Sequence, residues 1–140
     1  MQAPDLSPRT LFESATAQNL DAKAAILIGV SILELCLVIA MTNISLMQDT
    51  PFNFEVVYEN YRDFVLHDST KTVEWYSKPV AFKAFEYLVA LELVRRVDGS
   101  NRNTPRQFQQ MRLMLEAAQV QEVLQKYPRL PTHVKGWLKV

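Results

Sequence analysis

The spacing of apolar positions along the chain predicts a run of helices, then a hairpin, then a closing helix. Ser7 followed by Pro8 is a helix-start signal, a cap residue with proline at the first helical position. Leu11, Phe12 and Ala15 then give a short one-sided helix ending near Asn19. After Asp21 a second apolar piece leads to Ser31, and Ser31-x-x-Glu34 has the form of a capping box for a helix from Ile32 to about Met47. Leu33, Leu35, Leu37 and Ile39 cover nearly all sides of its first turns, which predicts the central, most buried helix. Pro51 breaks the pattern. Asn53 caps a new helix in which Phe54, Val57, Tyr58, Tyr61, Phe64 and Val65 recur at three-four spacing, with Glu55, Glu59, Asn60, Arg62 and Asp63 on the other side.

His67 to Ser77 is polar apart from Val73, Trp75 and Tyr76 and predicts a connector. A further helix starts at about Lys78 with Pro79 in its first turn; Ala81, Ala84, Phe85, Leu88 and Leu91 share one face, and Lys83, Glu86, Tyr87 and Ala90 point outward. The period then changes to two. Val94 to Val97 predicts a strand, Asp98 to Pro105 a turn-rich loop, and Met111, Leu113 and Leu115 alternate with Gln110, Arg112 and Met114 in a second strand. A helix from about Glu116 to Lys126 follows, closed by Pro128 and Pro131 before a tail helix at Thr132 to Leu138. This order predicts a mostly α fold with a small β-hairpin, a winged helix whose hairpin loop is the wing. The expected division is a linker helix region at 1–29 and a winged-helix domain at 30–140. In such domains one helix lies in a DNA groove while the wing reaches the adjacent backbone.

With 140 residues, 49% of them apolar, the chain is long enough for one core. Fifteen basic and fifteen acidic side chains cancel, so any electrostatic function must be local. The charge is indeed uneven: residues 1–68 carry a net −6, residues 69–112 a net +4 and the remainder +2. Cys36 is the single cysteine, which excludes an internal disulfide and points to a reducing compartment, and with only His67 and His133 beside it no zinc site of the usual spacing can be built. The three glycines, Gly29, Gly99 and Gly136, form no phosphate-cradling loop. No catalytic residues, metal or cofactor are expected. The apolar stretch Ala24 to Met41 approaches the length of a bilayer span but contains Gly29, Ser31 and Glu34, so a buried helix is expected and no membrane partner. Asp5, Pro8 and Glu13 do not make a signal peptide; the polar start reads as a linker or the edge of a larger polypeptide.

The candidate chemistry lies in the wing. Arg95, Arg96, Arg102 and Arg106, with Asn101 and Asn103 among them and Asp98 as the one acid, suit phosphate, because planar guanidinium groups bind two oxygens at once. The bland alternative, a solvated polar loop, loses ground in a helix-turn-helix context. Lys78, Lys83 and Tyr87 on the preceding helix add phosphate contacts, with Lys71 a weaker candidate. Glu86 beside them, and the lack of paired Arg or Asn/Gln side chains, disfavour base reading. Trp75 and Tyr76 are expected to plug the core rather than stack on a base, His67 and His133 to lie at the surface, and Cys36 to be an inert packed thiol. For Glu55, Glu59 and Asp63, water and a partner subunit both remain open.

The strings SILELCLVIAM (Ser31 to Met41), PFNFEVVYENYRDFV (Pro51 to Val65), KPVAFKAFEYL (Lys78 to Leu88) with LELV after it, and LQKYP (Leu124 to Pro128) closely resemble the C-terminal region of the origin recognition complex subunit 4 family. The similarity runs from about Asp21 to Trp137. It implies a nuclear winged helix that follows an ATPase-like module and its helical lid in the full subunit. Its implied partners are duplex DNA, the other subunits of the complex, and the replicative helicase with its loading factors. Budding-yeast-type relatives carry an extra helix that reads origin sequence, and the short stretch from Asp98 to Pro105 leaves no room for one there, so sequence-tolerant DNA contact is expected. The alternative function is a protein-interaction winged helix that docks on other subunits or the helicase.

Overall fold

The computed structural model describes residues 22–97 and 103–139. The helix expected between Ser7 and Asn19, and the wing tip at 98–102, lie outside the described residues. Helix α1 is described over 22–28; it buries Leu27 completely, and Lys23 Nζ donates to the Met114 carbonyl at 3.3 Å. Helix α2 (Ile32–Met47) opens on the expected capping box, with the Glu34 N–H donating to Ser31 Oγ at 3.2 Å and the Ser31 N–H to Glu34 Oε1 at 2.8 Å. Every residue from Leu35 to Asn43 is buried, more than two full turns, so this segment keeps no side for water. Helices α3 (Phe54–Leu66), α4 (Lys78–Ala90) and α5 (Ala117–Lys126) pack around it. Its buried polar groups are paired. Thr42 Oγ1 donates to the Val38 carbonyl at 2.8 Å, while Asn43 donates to the Trp137 carbonyl at 3.0 Å and accepts the Lys139 N–H at 2.8 Å, clipping the C-terminal segment to α2.

Asn53 caps α3 by accepting the Val56 N–H at 3.0 Å. Phe54 fixes α3 against α4, its ring 5.0 Å from Phe82 edge-on and 5.3 Å from Phe85. The connector at 67–77 is held from below by α3: the Tyr58 hydroxyl donates to the Tyr76 carbonyl at 3.0 Å, and the Tyr61 hydroxyl donates to the Glu74 carbonyl at 3.1 Å while accepting the Tyr76 N–H at 3.0 Å. Because these two tyrosines fill the space beneath, Val73 is the one apolar residue of the connector that enters the core, while the Asp68 side chain is buried in its turn. Trp75, expected to plug it, is instead 51% exposed, and Tyr76 is half-buried. His133 also departs from expectation. Helix α6 (Thr132–Lys135) folds back on α3, so the His133 ring stacks on Phe64 at 4.5 Å, and Phe64 stacks on Trp137 at 3.9 Å on its own account.

Helix α4 ends in a left-handed turn at Glu92 (φ 63°), where the Glu92 N–H donates to Val89 and the Leu93 N–H to Leu88, satisfying two terminal carbonyls. Buried Leu93 leads directly into β1 (Val94–Arg96), which pairs antiparallel with β2 (Met111–Leu113). A 3-10 turn at Arg106–Phe108 stands between the strands, where a plain loop running into the second strand was expected. Met111 exchanges backbone hydrogen bonds with Phe52, tying the hairpin to the segment ahead of α3. The chain is thus a mostly helical, winged-helix-like fold with a two-stranded hairpin. The apolar run from Ala24 is interrupted at Gly29–Val30, and among the described residues no helix is long and apolar enough to cross a membrane.

Candidate nucleic-acid interface

The register of the hairpin decides where its cations point. Val94 faces Leu113, Arg95 faces Arg112, and Arg96 faces Met111. Since side chains alternate along a strand, Arg95 and Arg112 share one face, and the row containing Arg96 is the one that buries Val94 and Met111. Both members of the Arg95–Arg112 pair are exposed. Like charges directly opposite one another on a ladder repel, and an anion set between them removes the cost. Among the described residues Arg95 has no ion-pair partner, while Arg112 reaches a fully exposed Asp49 only at 3.7 Å. Arg95, Arg96 and Arg112 together line a shallow depression of about 290 Å³ with Val97 and Met114.

Arg112 is the residue that sequence reasoning left out. Its alternation with Met111 and Leu113 is visible in the sequence, but pairing it with Arg95 requires the register of the two strands.

The other candidates separate. Arg106 forms an ion pair with Glu86 of α4 at 2.9 Å and, with Arg96, borders a second cavity between α4 and the hairpin. Lys78 binds Glu55 of α3 at 2.6 Å and sits 5.6 Å from the centre of the Tyr58 ring, so it joins α4 to α3. Both pairs are exposed enough to be worth at most about 1 kcal/mol, so a phosphate can compete for either cation. Lys83 and Tyr87 are exposed on the outer face of α4, and Asn103 is exposed at the described end of the wing. Asn101 and Arg102 lie outside the described residues. Lys71 occupies a left-handed position (φ 53°) in the turn organised by Asp68.

The perturbed titratable groups lie elsewhere. Burial pushes the Cys36 thiol up to about 12, which leaves it almost entirely protonated at neutral pH and unsuited to nucleophilic work. The Asp68 carboxyl is held at about 2, chiefly by the Thr70 hydroxyl, with the Val73 and Thr70 N–H groups and His133 in support. Its Oδ1 lies 4.0 Å from His133 Nε2, a buried atom without a hydrogen-bond partner. Among the described residues no three His, Cys, Asp or Glu side chains gather as a metal site would require.

What this arrangement offers is therefore a set of guanidinium groups on a hairpin braced by helices. The sequence matches the family described as origin recognition complex (ORC) subunit 4 C-terminus over residues 1–124. The chain belongs to that family. It is 40% identical over 135 residues to origin recognition complex subunit 4 of Xenopus laevis and 38% identical over 135 residues to the Homo sapiens protein, covering 96% of this chain each time. It is 27% identical over 119 residues, 85% of its length, to origin of replication complex subunit 4 of Oryza sativa subsp. japonica. The chain spans 31% of the length of the Xenopus and human subunit 4 proteins, so the match concerns a single region of them.

Proposed function

We propose that this region of origin recognition complex subunit 4 is a non-catalytic winged helix that works in the nucleus within the assembled complex. It holds duplex DNA there through phosphates and contributes to the assembly that loads the replicative helicase with its loading factors. The observation that carries the reading is the exposed pair of arginines facing one another across the hairpin, Arg95 and Arg112. Arg96 beside them and Lys83 on α4 extend the basic surface, and Arg102 belongs to the same loop in sequence. Such contacts position a protein on DNA without reading its sequence. The outer face of α4, with Lys83, Tyr87 and Glu86, offers no bidentate base reader.

The test is the double variant R95E/R112E in the 140-residue chain, titrated against a fluorescent mixed-sequence duplex at low salt. Loss of binding with an unchanged circular dichroism spectrum and melting temperature is expected. Retained binding would favour the docking alternative, in which this face meets other subunits, and subunit assembly measured with the same variant reports on that directly.

A further inference from the structure

The cavity between α4 and the hairpin, about 290 Å³, has a different character from the arginine face. Its floor is apolar, formed by Phe82 and Val89 of α4 and Met111 of β2, with Phe82 and Val89 only partly buried. Its rim carries Arg96 and Arg106 against one carboxylate, Glu86, leaving one excess positive charge. We propose that this groove is a docking site for an acidic peptide segment that seats a single aromatic or branched aliphatic side chain on the floor and sets its carboxylates against Arg96 and Arg106. Charge complementarity selects an anionic occupant, and the floor decides between anions. A phosphodiester backbone has nothing to bury against Phe82 and Val89, whereas an apolar side chain gains by leaving water there. Glu86 tunes the site, since it occupies Arg106 at 2.9 Å and repels an incoming carboxylate. Arg96 borders both depressions, but the inference does not depend on DNA contact by Arg95 and Arg112, which lie on the other face of the hairpin.

The test titrates the 140-residue chain with a fluorescein-labelled nonapeptide carrying a central tryptophan flanked by aspartates, and with its alanine-centred counterpart. Binding of the tryptophan peptide is expected to exceed that of the alanine peptide about tenfold, the size of one good anchor. V89K, which blocks the floor while adding positive charge, should abolish that preference and leave duplex DNA binding intact. E86Q should tighten the tryptophan peptide about threefold, a gain that unfolding cannot produce. Equal binding of the two peptides, an unchanged preference in V89K, or weaker binding in E86Q would each overturn the proposal. So would sedimentation showing a dimer that V89K dissociates, which would assign the groove to a second copy of the chain.

Discussion

Asp68 shows what a single side chain does here and why it goes unseen in sequence. In the string His67-Asp-Ser-Thr-Lys-Thr it reads as one more polar connector residue. In the fold its side chain is fully buried and accepts from the backbone N–H groups of Thr70, Thr72 and Val73, organising the turn that feeds α4. Its partners are main-chain donors, which leave no mark on residue type. Because the folded state holds the Asp68 carboxyl at about 2, below its ordinary value of 3.8, the unfolded chain takes up the proton first as pH falls. The stability it contributes is therefore complete above that ordinary value and is lost as pH drops toward 2. D68N should lower the urea midpoint at neutral pH, and its deficit relative to the wild type should shrink through that acid window. A deficit of constant size down to the lower limit would contradict this account. Cys36 is the opposite case, a lone thiol within the apolar run Leu35 to Met41, whose burial follows from the sequence pattern.

At the scale of elements, the helix starts were legible because caps are local. Ser31 with Glu34 and Asn53 each lie within three residues of the group they satisfy. Stops were less legible. Helix α4 ends at a left-handed residue that is usually glycine, yet this position holds Glu92, whose exposed side chain makes no described contact. E92G should therefore stabilise the protein, by about 0.5–1 kcal/mol, since a non-glycine residue pays a steric cost in that conformation. Equilibrium urea unfolding measures it, and a loss of stability would show that the Glu92 side chain matters more than its backbone. The hairpin itself followed from the change of period after Leu91. Its register did not, because the partner of each strand residue is set by tertiary packing, including the Phe52–Met111 bridge. That is why Arg95 stands out in the sequence as a phosphate-binding candidate and Arg112 does not. Trp75 fails for a related reason, since Tyr58 and Tyr61 already hold the connector from below.

For the whole molecule, the informative quantity is the separation of charge and not its sum. The net of zero conceals a basic segment that includes α4 and the hairpin, and the fold concentrates part of it into Arg95, Arg96 and Arg112 around one depression. On the proposed reading, such a module alone would bind a polyanion weakly, and useful affinity would come when several such surfaces hold one duplex together. The most direct measurement is the salt dependence of duplex binding between about 50 and 200 mM KCl, where each neutralised phosphate contributes a slope of about −0.9. About four contacts predict a slope near −3.6 for the wild type, and R95Q/R112Q should bring it to about −1.8. A slope unchanged by that double replacement would mean that DNA is held elsewhere on the molecule and that the facing arginines serve another purpose.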